Sequence, residues 1–185
     1  MIPGNICTAH LDLEPFHCED VKEEYRAWLS DWETVRLTAA KLNPSLNSLR
    51  DYVARNNADT NAYLWRIVAD THGAAAHVGN IRLSGLKHDH AELAILLGRP
   101  YWGRGIARRA IDAAATSVLS GDAHRTIART PLRKLYAGIL TANIASRKAF
   151  EHSGFTVVAT LRDHAKVDGR FTDQWLMERF RLDED

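Results

Sequence analysis

Cysteine is scarce: two residues, Cys7 and Cys18, in a chain of 185. A disulfide-built scaffold is excluded on that count. A zinc module is excluded too, because no Cys/His cluster has the spacing of a four-ligand site. The nine histidines are scattered, and the triplet His88-Asp89-His90 reads as a turn leading into a strand, so no metal is expected. Long apolar runs are missing. The longest are of the order of residues 93–98, far short of the roughly 18 residues that a membrane span needs. Met1-Ile2-Pro3-Gly4-Asn5 opens no charged segment followed by an apolar one. No export signal is visible, so free thiols and a cytoplasmic location are expected. An excess of charge is lacking as well: 24 Lys and Arg stand against 23 Asp and Glu, a net charge of +1. General binding to a phosphate backbone needs a clustered cationic excess, and a disordered chain needs net charge and few apolar residues. Neither condition holds, and no nucleic-acid or membrane partner is expected.

What is present fits one globular domain. Apolar residues make up 45% and charged residues 25%, ordinary values for a packed chain. The length suits a single domain over residues 1–185 with a core that needs no staple. Alternation of Leu11 and Leu13 against Asp12 and Glu14 predicts a strand over 9–16. Val21, Tyr25, Trp28 and Leu29 recur at helical spacing, and Ser45 is placed to cap a second helix carrying Leu49 and Val53. A hairpin follows, with strands over 63–69 and 76–83, then a strand over 90–97. An alanine-rich helix is predicted over 106–119, a strand over 135–140 and a short helix over 144–152 stopped by Gly154. Two strands close the chain, over 155–161 and 174–180, with Asp168-Gly169 in the turn between them. The order β-α-α-β-β-β-α-β-α-β-β predicts a mixed α/β domain with helices interrupting a mostly antiparallel sheet.

The sharpest local feature is a strand, a Gly-x-Gly turn and a helix: Leu93 to Leu97, then Trp102-Gly103-Arg104-Gly105-Ile106-Ala107. Two glycines one residue apart let the backbone turn tightly and approach a ligand closely. A helix starting there aims unpaired N–H groups and the positive end of its dipole at the turn, which suits a phosphate or pyrophosphate. Arg104 adds a charged donor. The dinucleotide fingerprint is excluded because Arg108 stands where its third glycine belongs, and the P-loop pattern is absent. Downstream, Asn143 follows a strand at the start of a helix, where a helix cap is its plainest role. Ser146 and Gly154-Phe155 follow.

With these residues together the chain resembles the GCN5-related N-acetyltransferase (GNAT) family. The turn from Trp102 to Ala107 is similar to its acetyl-CoA loop, and Asn143, Ser146 and Gly154-Phe155 to its next conserved segment. The RimJ/RimL-like branch is the most similar, through Trp102-Gly103-Arg104-Gly105 and the segment from Leu161 to Met177. The resemblance spans roughly residues 11–180. It implies the GNAT acyltransferase fold, with splayed strands around the acyl donor acetyl-CoA. It places Ile95, Leu96 and Leu97 along the pantetheine arm. Gly103, Arg104, Gly105, Ile106 and Ala107 then cradle the pyrophosphate, Trp102 packs beside it, and Asn143 and Ser146 face the pantetheine and thioester. A backbone N–H of the splayed strand is expected to stabilise the oxyanion.

Acetyl transfer to an amine implies two proton problems. An alkylamine with a pKa of about 10.4 arrives protonated. Glu92, on the strand leading into the loop, is the base that the resemblance implies, acting directly or through water. The alternative is a surface carboxylate paired with Arg82. The leaving thiolate is the second problem. Where many relatives carry a tyrosine as general acid, this chain has Phe150. A thiol pKa of about 8.5 makes thiolate a tolerable leaving group. Ser146 could still hydrogen-bond it, the alternative being a cofactor contact only. On the acceptor side the resemblance points to Trp32, Glu33 and Arg36, while Tyr25 and Trp28 read as core. His124, Arg125, Arg129, Arg133 and Lys134 form a modest basic patch. The acceptors left open are a protein N-terminus, a polyamine, an aminoglycoside and an amino sugar on a nucleotide. A non-catalytic acyl-CoA-binding module is the competing reading. Relatives often form homodimers.

Overall fold

The computed structural model describes residues 4–38, 40, 42–71, 73–120 and 132–181. Strands β1 (Ile6–Cys7) and β2 (Leu11–Pro15) lead into helices α1 (Glu23–Trp28), α2 (Trp32–Val35) and α3 (Leu46–Ala58). Strands β3 (Ala62–Thr71), β4 (Ala74–Lys87) and β5 (His90–Leu97) come next, then α4 (Ile106–Ser120), β6 (Lys134–Leu140), α5 (Ile144–Glu151), β7 (Thr156–Val167) and β8 (Arg170–Phe180). The strands form one sheet in the order β1-β2-β3-β4-β5-β6-β8-β7. Neighbours run antiparallel except β5 and β6, which are parallel. This is the mixed α/β, mostly antiparallel architecture expected from the sequence.

The differences lie at element ends. β1 is too short to show alternation. The helical spacing from Val21 to Leu29 resolves into α1, and α2 begins three residues after Leu29, capped by Asp31, whose side chain accepts from the N–H of Glu33. The last two strands are far longer than predicted. Their outer ends pair a charged residue with an apolar one, Lys166↔Phe171 and Val167↔Arg170, in exposed segments without the regular alternation that marks a half-buried strand. Gly154, at φ +79°, ends α5 as expected. Ser45 caps α3, accepting from the N–H of Ser48 at 3.1 Å. His88 and Asp89 both have positive φ and form the tight turn between β4 and β5. Among the described residues no cluster of His, Cys, Asp or Glu could hold a metal, and Cys7 and Cys18 are free thiols. No described helix is long and apolar enough to cross a membrane. His124, Arg125 and Arg129 of the expected basic patch lie outside the described residues.

Two cores flank the sheet. On one face α4 lays Ile106, Ala110, Ile111, Ala114, Ala115 and Val118 against Leu13, Trp65, Ile67, Ile81 and Leu93. The alanines let helix and sheet approach closely. Each buried Ile or Leu contributes about 1.5–3 kcal/mol. On the other face α1 and α3 pack Tyr25, Trp28, Leu49 and Val53 against Phe16 and Leu64. A bulge in β4 leaves Val78 unopposed and turns His77 into this second core. The imidazole lies edge-on to Phe16 and Trp28, each at 5.1 Å between ring centroids.

Candidate active site

The site is made by two strands that part. β5 and β6 pair only through His90↔Lys134, Ala91↔Leu135 and Glu92↔Tyr136. Beyond Glu92, β5 stays with β4 as far as Leu97, while β6 follows β8 along its whole length. A wedge opens between them. Gly98 donates its N–H to the Val78 carbonyl at 3.0 Å. The Leu97 carbonyl points the opposite way, into the wedge, and accepts from Trp102 Nε1 at 3.0 Å. The same alternation turns the peptide groups of Ile95 into the wedge, where β6 no longer meets them.

A cavity of about 350 Å³ fills this wedge. Ile95, Leu96 and Leu97 form one wall, and Asn143 and Ser146 face them from the start of α5. Trp102, Gly103, Gly105, Ile106 and Ala107 close the end where α4 begins. Gly105 has φ +70°, and a Cβ there would stand 3.3 Å from Arg109 Nη1. The turn therefore depends on glycine. Amide N–H groups of the first turn of α4, which lack partners within the helix, face this end.

Not every expected residue lines the cavity. Arg104 turns outward, its guanidinium 6.0 Å from the centroid of the Tyr101 ring, and its carbonyl is held by Arg109 Nη2 at 3.2 Å. Glu92 lies at the apex of the wedge, off the cavity wall and half-buried. It makes no hydrogen bond or ion pair among the described residues. The expected alternative partner, Arg82, instead donates its Nε to Asn56 Oδ1 at 2.6 Å. Beside Glu92, burial and then the Glu92 charge push the Tyr136 phenol up. Phe150 is 2% exposed and edge-on to Phe155, so it is packing. Trp32, Glu33 and Arg36 also stay off the cavity wall. Trp32 is exposed, and Arg36 bridges to Glu33 at 2.7 Å.

The cavity wall takes Thr34, Leu37 and Thr38 instead, which no sequence signal marked. Leu37 is brought there by Asn143, whose Nδ2 donates to the Leu37 carbonyl at 3.2 Å while its Oδ1 accepts from the N–H of Ser146 at 3.1 Å. Asn143 is thus a helix cap, as read, and also a tether across the site. The Ser146 hydroxyl has no partner among the described residues. Tyr101 was also missed. Its hydroxyl donates to Glu24 Oε1 at 2.8 Å, fixing the segment before the glycine turn against α1.

A glycine turn at the mouth of a wedge between parting parallel strands defines the GNAT fold. A family model described as an acetyltransferase (GNAT) domain matches residues 10–156, and the chain belongs to that family. A comparison with curated protein sequences returns no significant match. Solved structures agree in fold. Spermidine N-acetyltransferase from Vibrio cholerae, in complex with CoA and spermine, superposes with a TM-score of 0.79 at 17% identity, over 94% of this chain and 97% of that one. A GNAT-family acetyltransferase from Bacillus anthracis gives 0.78 at 15%, over 96% and 98%. The microcin C7 self-immunity acetyltransferase, in complex with acetyl-CoA and AMP, gives 0.77 at 16%, over 94% and 93%.

Proposed function

We propose that the protein is an acetyl-CoA-dependent N-acetyltransferase acting on a primary amine, built as one domain and belonging to the RimJ/RimL-like branch. The observation that carries this reading is the wedge itself. The peptide groups of Ile95 are free of β6 and aimed into a cavity whose far end is a glycine turn capped by helix N–H groups. That arrangement fits an elongated ligand with amides along its length and phosphates at one end. The solved neighbours holding CoA or acetyl-CoA support it.

Acetyl-CoA, when bound, supplies the thioester. The backbone N–H groups at Gly105 and the first turn of α4 take the phosphates, with Arg108 close by. The Ile95 peptide groups hold the pantetheine arm, and an N–H of the splayed strand stabilises the oxyanion as the amine attacks. Glu92, reached through water, accepts one proton from the ammonium. The amine nitrogen then forms the C–N bond as the C–S bond breaks, and the second proton that the nitrogen sheds passes to the thiolate, which leaves as the free thiol. Ser146, whose hydroxyl lies on the cavity wall, donates a hydrogen bond to the departing thiolate.

Calorimetric titration with acetyl-CoA, followed by thiol release against spermidine, an alanyl peptide amide, an aminoglycoside and an amino-sugar nucleotide, tests this reading. Binding with thiol release from one class is expected. Binding without release from any would favour the non-catalytic acyl-CoA module, which the buried Phe150 motivates. No binding would overturn the assignment of the glycine turn.

A further inference from the structure

The charge on the cavity wall has one sign. Arg108 and Lys148 line it together with His152, and among the described residues no Asp or Glu does. Neither cation has a side-chain partner among those residues. The neighbouring acids are already taken, Glu151 by Arg147 at 2.8 Å and Asp112 by Arg179 at 3.1 Å. Arg104, in the glycine turn itself, stands outward over Tyr101. Two uncompensated cations on the wall of a cavity are complementary to an anion.

The pair sits in a notch between two helices. Arg108 lies in the first turn of α4 and Lys148 in the last turn of α5. Ser153, 2% exposed, fastens the helices together, its hydroxyl bonding the carbonyls of Arg108 at 3.1 Å and Ala149 at 3.0 Å. Arg179 donates to the Ser153 carbonyl at 2.8 Å. His152 Nδ1 donates to the Lys148 carbonyl at 2.6 Å, which fixes the imidazole one turn beyond Lys148. The notch lies at the opposite end of α5 from Asn143. Six residues separate Ser146 from His152, about 9 Å along a helix. Backbone N–H groups at the start of α4 already answer a pyrophosphate. Two further cations beside them suit a further phosphate.

We propose that this notch binds the 3′-phosphate of the donor's adenosine, and that Arg108 and Lys148 make the protein select CoA over dephospho-CoA. The proposal rests on the acetyltransferase reading and specifies its donor. Arg108 offers a planar fork of N–H donors from α4, and Lys148 an ammonium from α5. His152 walls the notch. Both cations are exposed, so their pull on the phosphate is screened by salt. A donor that carries only a phosphopantetheine arm lacks this contact.

Calorimetry with CoA and with dephospho-CoA tests this on the wild type, Lys148→Gln, Lys148→Arg, Arg108→Gln and Arg104→Gln. All three positions are exposed, so the variants keep the fold, which circular dichroism checks. At low salt the wild type should bind CoA about tenfold or more tighter than dephospho-CoA. The ratio should shrink as sodium chloride is added. Lys148→Gln and Arg108→Gln should each cut the ratio several-fold by weakening CoA alone. Lys148→Arg should restore most of it, and Arg104→Gln should alter it less than either glutamine variant. Equal wild-type affinities for the two ligands, or a ratio untouched by both glutamine variants, would overturn the proposal and leave the acetyltransferase reading standing. A ratio that depends on Arg104 instead would also overturn it, returning the contact to the glycine turn. A wild type that binds neither ligand would end both readings.

Discussion

The side-chain amide of Asn143 bonds the carbonyl of Leu37, 106 residues earlier, at 3.2 Å. One side chain thereby caps α5 and fastens the segment after α2 to the rim of the cavity. The two functions are separable. Asn143→Asp keeps a capping oxygen but loses the donor to Leu37. It should retain most of the stability and lose acetyl-CoA affinity. Asn143→Ala loses both, and should destabilise the fold by about 1–2 kcal/mol. Urea denaturation and calorimetry on the two variants separate cap from tether.

Gly105 sits at φ +70°, a region that costs an L-residue about 1–2 kcal/mol. Gly105→Val adds that strain and a branched side chain at the end of the cavity where phosphates are expected. Acetyl-CoA binding should fall below detection in calorimetry, while circular dichroism shows a folded protein. Unchanged affinity would refute the role of the turn.

Glu92 stands off the cavity wall and Ser146 on it, so their variants should behave differently. Glu92→Gln should cut kcat by 10²-fold or more, roughly the contribution of a general base, with acetyl-CoA affinity intact. Ser146→Ala should lower kcat more modestly. A change in affinity alone would reduce Ser146 to a cofactor contact.

Phe150 invites restoration of the tyrosine common among relatives, and the structure predicts that this fails. Its ring is buried and edge-on to Phe155 at 5.0 Å, away from the cavity. The hydroxyl of Phe150→Tyr would enter the core without an evident partner, at a cost of about 1–3 kcal/mol. Thermal denaturation should show the loss, and kcat should not rise.

His77 gives the fold a pH limit. Burial depresses its pKa from the ordinary 6.5, against the raising effect of the hydrogen bonds to Asn80 and Gly79. The unfolded chain therefore takes up the proton more readily than the folded one. Its contribution to stability is fully present above the ordinary histidine value and is lost as the pH falls through the depressed one. Urea midpoints measured from pH 8 to pH 5 should fall more steeply for the wild type than for His77→Gln. Parallel curves would show that His77 is not the group responsible.

Local chemistry made much of this protein legible. The glycine turn, the cap at Asn143, the stop at Gly154 and the strand from His90 to Leu97 are written in neighbouring residues, and the structure places each where the sequence put it. These features depend on dihedral preference, capping and alternation, which act over a few positions. Tertiary structure alone decided the rest. That β5 leaves β6 after Glu92 follows from β6 pairing with β8, residues some 40 positions away. That Leu37 lines the cavity, and Trp32, Glu33 and Arg36 do not, follows from a hydrogen bond spanning 106 residues. That Glu92 is left without Arg82 follows from Asn56 on α3 holding the guanidinium first. Sequence patterns report what each segment prefers. Which partner wins a shared donor or strand edge is decided only when all segments compete in one packed molecule.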